Sequence, residues 1–412
     1  MFHQLLFAFI LAASLLSRPK LLYLNWGTHY LLIAIAGGIA LFYHRQQLKK
    51  VGFQYRYLIG WISLFYGWIL LSTLASDFSQ IALKYSLKYS TYPIAFGIFL
   101  LIPNLAYQKF YHRTLFRFLV FISGWGIVEY LSPNLAFLDI LRYPNAYPRI
   151  SAIVQGANQL GVLMAIGAVF AIILYRKHLI SQAEMCLTVP IFISLNTLSA
   201  SRNGWLIFIL GLALLWLYKL IRLKGFLILI SLWSFFLVFF PVSSARIVAP
   251  NHPVFPLLYT ISPSVEIHHK SLVSPPKKER KPDIAATSDQ ARVVLWKDAL
   301  QAFSQKPLTG IGVGVFAEHI GWKHTERSGF HAHNIFLSVL VELGIPGLLL
   351  SIVLLFHLIP LSVLKQELIG IPLILILASQ QFDFFINDST FVILCTYFLA
   401  HAVQQKELNR GY

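Results

Sequence analysis

Long apolar runs separated by short polar or basic stretches dominate this sequence. Twelve runs have the length and composition of helices, at residues 3–17, 28–43, 58–75, 91–106, 114–132, 151–175, 184–199, 203–218, 225–241, 335–359, 369–381 and 389–404. A helix that crosses a bilayer needs about 20 mostly apolar residues. The pattern therefore predicts an all-α, polytopic integral membrane protein with about 12 transmembrane helices.

The polar stretch between the ninth and tenth runs predicts one long loop, residues 242–334. Within it, Ser288 is suited to cap a helix over residues 289–304. The chain is therefore predicted to consist of nine transmembrane helices in residues 1–241, this partly helical loop, and three transmembrane helices with a terminal tail in residues 335–412.

The composition excludes a soluble or disordered chain. Of the 412 residues, 57% are hydrophobic and 12% are charged, whereas a soluble domain carries about 25% charged residues. Cys186 and Cys395 lie in separate apolar runs, without a CxxC pair or a Cys/His cluster. Neither a disulfide framework nor a zinc site is predicted.

The formal charge is strongly positive, at +17 from 33 Lys and Arg against 16 Asp and Glu. No basic, aromatic-rich soluble domain accompanies this charge, so nucleic acid is not a predicted partner. Membrane proteins concentrate Lys and Arg in cytoplasmic loops, which favours both termini in the cytoplasm and the long loop outside. The amphipathic stretch 80–90 predicts an interfacial helix with Lys84 and Lys88 on its polar side.

Basic side chains from four separate stretches fall at the predicted outer face: Arg149, Arg202, Arg292 and the pair His331 and His333. An arginine at a helix end commonly reaches lipid head groups. Arg202 differs because it opens a helix, where the helix dipole disfavours a cation unless an anion offsets it. A diphosphate would do so, since arginine presents a planar fork of donors that suits phosphate oxygens.

A second group of candidates surrounds the tenth apolar run. Asn334 is suited to cap that helix, and Gly344 and Gly347 are predicted to fall on the helix face that holds His333. Small residues on one face allow close helix packing, which makes this helix a suitable support for a catalytic histidine. Glu342 points away from that face and requires an unidentified partner.

Two acidic residues between the last two apolar runs are further candidates. Asp383 and Asp388, in FDFFINDST, could orient a histidine or bind a sugar hydroxyl, although solvated loop charges are the simpler interpretation. No Asp-x-Asp pair is present, so a Mg²⁺-bridged nucleotide-sugar site is not predicted. The segment GIGVG (310–314) lacks the spacing and context of a dinucleotide fingerprint.

Four motifs together resemble the O-antigen ligase and polymerase superfamily of bacterial envelope glycosyltransferases. The most specific is His, then Asn, Ser or Gln, nine residues, Gly, two residues, and Gly, Thr or Tyr. In chain order the motifs read Arg149, Ser151, Asn158, Leu160 and Gly161; Ser201, Arg202 and Gly204; Arg292 and Trp296; and His333, Asn334, Gly344 and Gly347. They cover about half of the chain in the family's order, whereas residues 1–140 carry no recognisable motif.

The resemblance implies a GT-C-like bundle and an inverting glycosyltransferase that uses neither a metal nor a cofactor. The donor would be an undecaprenyl-diphosphate-linked glycan at the periplasmic face of the bacterial inner membrane, and the acceptor a sugar hydroxyl, such as one on the lipid A core. The implied catalytic residues are His333 as general base and Arg202 and Arg292 on the diphosphate. The residues implied to bind diphosphate or glycan are Arg149, His331, Asn334, Trp296, Asn158 and Asp388.

The motifs do not decide among members of the superfamily. The chain could be a ligase that joins O-antigen to the lipid A core, a polymerase that extends a polysaccharide, or a protein O-oligosaccharyltransferase. A transporter is the alternative from a different class, but no repeated pair of interrupted helices supports it. The basic stretch 275–282 (PPKKERKP) has no counterpart in the family pattern and could contact anionic membrane lipids or glycan.

Overall fold

The computed structural model describes residues 2–15, 28–46, 48–101, 104–131, 150–154, 156–240, 288–320, 331–359, 364–381, 383 and 389–408. Within these ranges all regular secondary structure is helical, as predicted. In chain order the helices are α1 (Phe2–Leu15), α2 (Thr28–Tyr43), α3 (Leu48–Gln54), α4 (Arg56–Leu74), α5 (Ser79–Tyr89), α6 (Thr91–Leu101), α7 (Asn104–Leu131), α8 (Ala157–Arg176), α9 (Gln182–Leu198), α10 (Arg202–Leu217), α11 (Leu223–Phe239), α12 (Ser288–Gln305), a π-helical turn (Phe316–Ile320), α13 (Ile335–Leu358), α14 (Glu367–Ser379) and α15 (Ser389–Leu408).

Each predicted apolar run lies largely on helix in the described residues, although the run 151–175 becomes helical only at Ala157, and the amphipathic stretch falls on α5. The loop helix α12 extends one residue beyond its predicted range at each end, with Ser288 as its first residue. Among the residues that the structure describes, four helical segments are long and apolar enough to cross a membrane: α4, residues Tyr107–Leu131 of α7, α8 and α13. The number of about twelve crossings therefore stays a prediction. The basic stretch 275–282 lies outside the described residues.

The helix α8 forms the centre of the bundle. Its residues from Leu160 to Leu174 are all buried, because the helix is apolar on every face and α7, α9, α10 and α14 pack around it. The start of α10 approaches α8 so closely that a Cβ on Gly204 would lie 2.7 Å from the carbonyl carbon of Gly161. Only glycine fits there, and this contact fixes where α10 begins.

The helix α13 is interrupted in its middle. Gly344 has φ 70° and ψ −172°, a conformation that is essentially restricted to glycine, so the backbone leaves the helical path there. A Cβ at Gly344 would also meet the carbonyl oxygen of Leu308. The prediction that Gly344 and Gly347 continue the helix face of His333 is therefore wrong, because that argument assumed an unbroken helix.

A neighbouring loop and two side chains of α4 satisfy the backbone groups that this interruption leaves without helical partners. We call residues 306–315 the docked loop. The hydrogen bonds are Ile311 N to Val341 O (3.0 Å), Gly312 N to Glu342 O (3.0 Å), Ser72 Oγ to Glu342 O (3.1 Å), Trp68 Nε1 to Leu343 O (2.8 Å) and Ile345 N to Pro307 O (2.9 Å). Since an unpaired backbone group away from water costs several kcal/mol, this loop and α4 together allow α13 to be broken.

The end of the docked loop and the start of the π-helical turn supply the partners of Glu342 that sequence reasoning left open. The Glu342 side chain is buried, and its carboxylate accepts hydrogen bonds from the backbone N–H groups of Gly314 and Phe316. Lys306, at the other end of the loop, forms a 2.7 Å ion pair with Asp77. The GIGVG segment therefore has a structural role, which is to seat this loop against α13.

Candidate functional site

The candidate site is built around the four residues that lead into α13. Asn334 has an extended backbone, and its Oδ1 accepts a hydrogen bond from Leu337 N at 3.0 Å, so it caps the helix as predicted. His333 has φ 50°, a left-handed conformation that is uncommon for a residue other than glycine. This turn directs the His333 side chain away from the helix axis at the point where the helix starts.

A hydrogen-bonded chain of three side chains orients His333. Its Nδ1 lies 2.9 Å from Asp383 Oδ1, and the other carboxylate oxygen of Asp383 accepts a 2.7 Å hydrogen bond from Asn158 Nδ2. Asp383 is 9% exposed, whereas His333 is 25% exposed. A carboxylate that accepts a hydrogen bond from Nδ1–H leaves Nε2 of a neutral ring as the acceptor nitrogen. The arrangement can therefore take a proton from a group that approaches the exposed side of the ring.

The two aspartates that sequence reasoning proposed have different outcomes. Asp383, named as able to orient a histidine, lies against His333. Asp388, chosen as a binding residue, lies outside the described residues. Asn158, also chosen as a binding residue, contacts Asp383 and holds the carboxylate in place.

His331 is buried instead of facing an open site. Burial, with smaller effects from His333 and Lys88, lowers the pKa of His331 to about 3, although the Asp383 carboxylate opposes this shift. The ring is therefore neutral at physiological pH. His331 is therefore a buried residue of the turn that carries His333.

The loop helix α12 is attached to this turn by a tryptophan. Trp296 Nε1 donates a 2.7 Å hydrogen bond to the carbonyl oxygen of Ala332, which stands between the two histidines. Leu295, Ala299 and Ala332 share an apolar cluster with residues of α13. Arg292 lies four residues before Trp296, on the same face of α12, and is half-buried. The structure therefore brings Arg292 to the side of α12 that meets the turn.

Arg202 is the first residue of α10 and is exposed. Ser201 caps the helix by accepting a 3.0 Å hydrogen bond from Gly204 N. The next residue, Asn203, donates a 3.0 Å hydrogen bond from Nδ2 to the carbonyl oxygen of Ser379, at the end of α14. Because Asp383 follows Ser379 by four residues, the start of α10 lies at the same end of the bundle as the His333 turn.

The remaining predicted residues are not among those that the structure places around the His333 turn. Arg149 lies outside the described residues, and Gly344 and Gly347 belong to the interruption of α13. Within the described ranges, no group of three His, Cys, Asp or Glu side chains is arranged to hold a metal ion. Sequence reasoning did not identify that the docked loop supports α13, because no local pattern marks the hydrogen bonds between them.

Residues 187–352 match the family model described as O-antigen ligase, which confirms the resemblance to the O-antigen ligase and polymerase superfamily. The match includes Arg202, Arg292, Trp296 and the His333 turn, and it ends before Asp383. No curated protein matches the chain. The match and the apolar helices together support a membrane protein that processes envelope glycans as a transferase or ligase.

Proposed function

We propose that this chain is an inverting, metal-independent glycosyltransferase that moves a glycan from undecaprenyl diphosphate to a sugar hydroxyl. The observation that carries the proposal is the 2.9 Å contact between His333 Nδ1 and Asp383 Oδ1. This contact provides a partly exposed histidine with a fixed ring, which general-base catalysis requires. The family match over residues 187–352 supports glycans as the substrates.

His333 is the general base in this proposal. The acceptor hydroxyl donates its proton to Nε2 while its oxygen forms a bond to the anomeric carbon of the donor. The bond between that carbon and the diphosphate oxygen breaks on the opposite face, so the configuration inverts and undecaprenyl diphosphate leaves with the bonding electrons. The Asp383 carboxylate stabilises the imidazolium that forms.

Arg202 and Arg292 are proposed to hold the diphosphate. Each guanidinium offers several N–H donors in one plane, and this geometry matches phosphate oxygens. The charge on the leaving diphosphate grows as the bond breaks, so these arginines stabilise the transition state more than the ground state. Arg149 is proposed as a third such residue.

The proposed setting is the periplasmic face of the bacterial inner membrane, with both termini in the cytoplasm. The proposed acceptor is the lipid A core, as in an O-antigen ligase. A polymerase would use the same groups on a second donor glycan, so the acceptor distinguishes the two activities.

The experiment is a transfer assay with purified protein and an undecaprenyl-diphosphate-linked glycan, run with and without EDTA. A single-step product on a lipid A-core acceptor, unaffected by EDTA, is expected. A ladder of products from donor alone would identify a polymerase instead. If intact protein consumes no donor with either acceptor, the transferase proposal is contradicted and transport becomes the better hypothesis.

Single substitutions test the proposed roles of His333 and Arg202. His333→Ala and Arg202→Ala should each lower transfer by about 100-fold or more. Arg222→Ala is the matched control, because Arg222 is also an exposed arginine at the start of a helix and directly precedes the first residue of α11. Full activity in His333→Ala, with normal folding and membrane insertion, would remove the basis of the mechanism.

A further inference from the structure

A cavity separates α4 from a neighbouring pair of helices. The helices α2 and α6 pack closely on each other, since a Cβ on Gly37 of α2 would lie 2.6 Å from a methyl carbon of Ile94 on α6. The helix α4 packs on α5 and α13. The space between α4 and the α2–α6 pair has a volume of about 320 Å³, and the short helix α3 lines one end of it.

The walls of this cavity are apolar. Among the described residues that line it, only Tyr55 and Ser63 carry polar side-chain atoms. Water is a poor occupant of such a space, because a buried water needs about two to four polar partners. Empty space would leave the wall atoms without van der Waals partners. A hydrocarbon chain fills the space without requiring any polar group.

The cavity opens to the side of the bundle. Leu41 on α2 and Ile59 on α4 both line it, yet they are 50% and 44% exposed. In a membrane, the surroundings of such exposed apolar side chains are the hydrocarbon chains of the bilayer. A lipid chain can therefore enter between α2 and α4 without passing through the candidate site.

The α3 end of the cavity lies at the opposite end of the bundle from the His333 turn. The helices α4 and α13 run antiparallel, because Trp68 bonds to Leu343 in the middle of α13, whereas the Trp61 ring lies 6.0 Å from that of His357 near its end. Since α3 directly precedes α4, it lies beyond the last turns of α13. A head group held at α3 is therefore distant from the proposed diphosphate site.

Three exposed basic side chains lie at this end of the cavity: Arg45 before α3, Lys49 on α3, and Arg56 at the start of α4. The first acidic residue of the chain is Asp77, so helices α1–α4 carry no Asp or Glu. The helix α6 carries none either. No acidic side chain from the helices around the cavity therefore neutralises this positive charge.

Exposed aromatic rings mark the same level of the bundle. The Arg56 guanidinium carbon lies 4.8 Å from the ring centroid of Phe53 and 4.9 Å from that of Tyr57. Both rings are more than 60% exposed, at 67% and 69%. Aromatic residues and arginine are typical of the level where lipid head groups meet the hydrocarbon core. The cations are thus placed at head-group depth, and the cavity lies at the depth of the acyl chains.

We propose that this cavity binds an anionic phospholipid from the leaflet at the α3 end. One acyl chain lies between α4 and the α2–α6 pair, and the phosphate head group lies against Arg45, Lys49 and Arg56. The uncompensated positive charge at the mouth selects an anionic lipid over a neutral one. Because a different face of α4 carries Trp68 and Ser72, the bound lipid supports the helix that holds the interrupted part of α13.

The first test concerns the head group. Native mass spectrometry of the purified protein in a neutral detergent, titrated with phosphatidylglycerol, should reveal one tight lipid site. Phosphatidylcholine with the same acyl chains should bind about 10- to 100-fold more weakly, because each cation near an anionic head group contributes about fivefold. The triple variant R45Q/K49Q/R56Q should weaken phosphatidylglycerol binding by a similar factor. K219Q/R222Q/K224Q removes three exposed cations between α10 and α11 and should stay within about threefold of the unaltered protein.

The second test concerns the acyl chain. Gly97 on α6 lines the cavity and has open space around the position of a Cβ, so G97L places a side chain where the acyl chain lies. Phosphatidylglycerol binding should weaken about tenfold or more, since the chain loses its contacts with the walls. Gly60 on α4 has the same open space but does not line the cavity, so G60L should bind like the unaltered protein. If G97L melts at a much lower temperature, G52L on α3 repeats the measurement.

Other results would overturn the proposal. Equal affinity for phosphatidylglycerol and phosphatidylcholine would contradict the head-group site. Unchanged binding by G97L and G52L would place the lipid outside the cavity. If undecaprenyl phosphate displaces phosphatidylglycerol from the unaltered protein but does not bind to G97L, the occupant is a prenyl chain instead. A dimer that dissociates in G97L would identify a second copy of this chain as the occupant.

Discussion

At the scale of single residues, the backbone of His333 is the unusual feature. A left-handed conformation at a residue with a bulky side chain costs about 1–3 kcal/mol and persists only where neighbours impose it. Here the neighbours are identifiable: Trp296 holds the carbonyl before His333, and the Asn334 cap holds the helix after it. The backbone of this turn and the contact with Asp383 therefore act together to fix the direction of the His333 ring.

Asp383→Asn should lower kcat about 10²- to 10⁴-fold, because the amide no longer stabilises the imidazolium or fixes the proton on Nδ1. Donor binding should remain. The double variant His333→Ala with Asp383→Asn should be no slower than His333→Ala alone, since the two residues act as one unit. Asp77→Asn is the control, since its exposed carboxylate pairs with Lys306 of the docked loop. Independent, multiplying effects of the two substitutions would contradict the pairing.

The lowered pKa of the buried His331 predicts how the stability of the folded chain depends on pH. Its pKa is about 3 in the folded chain against about 6.5 when unfolded, so only the unfolded chain takes up the proton at mildly acidic pH. Stability should therefore fall as the pH drops below about 6.5. His331→Asn should flatten this decline in thermal melting between pH 7.5 and 5, whereas substitution of the exposed His178 should not. An identical decline in His331→Asn would show that other groups cause it.

The residue scale also shows what the sequence could predict about the site. His333, Arg202 and Arg292 were identifiable because family motifs surround them. The pairing of Asp383 with His333 was not, since fifty residues separate them and Asp388 offered the same chemistry. Only the contact between the end of α14 and the start of α13 distinguishes the two aspartates.

At the scale of elements, apolar runs predicted helices well but did not predict their interruptions. The sequence from Glu342 to Leu348 contains Gly344, Pro346 and Gly347, and a membrane helix tolerates each of them singly. Whether such a stretch stays helical depends on whether other segments can satisfy its backbone. In this chain the partners are Trp68 and Ser72 on α4 together with the docked loop, and no local pattern reveals them.

Gly344→Ala tests the importance of that interruption. Alanine adopts this backbone conformation only at a cost of about 1–3 kcal/mol, and its Cβ would also meet the Leu308 carbonyl. The melting temperature of the purified protein should fall by several degrees, and transfer activity should fall with it. Gly67→Ala, on α4 with open space around the Cβ position, is the control and should melt like the unaltered protein. Equal melting of both variants would contradict the role of Gly344.

At the scale of the whole molecule, the arrangement gathers segments from across the sequence at one end of the bundle. The starts of α8, α10 and α13, the end of α14 and the attached α12 all meet around His333. The apolar runs and the distribution of Lys and Arg predicted that these segments lie at one end of the bundle, because they assign each loop to one side of the membrane. The depth at which each helix lies depends on packing, which composition does not encode.

The predicted orientation can be measured by labelling. In a chain with Cys186 and Cys395 replaced by Ser, Lys84→Cys should react with a membrane-impermeant maleimide added outside the inner membrane. His178→Cys should react only after the membrane is opened, because the predicted topology places it in the cytoplasm. The opposite pattern would invert the topology and place the His333 turn at the cytoplasmic face.

The interruption of α13 also has a consequence for the order in which the chain is assembled. The residues that satisfy its backbone are Ser72, Trp68, Pro307, Ile311 and Gly312, and all of them precede α13 in the sequence. During synthesis from the N-terminus, every partner is therefore already present when α13 leaves the ribosome. The interrupted helix can close against them at once, while α14 and α15 are still being made, and Asp383 reaches His333 only afterwards.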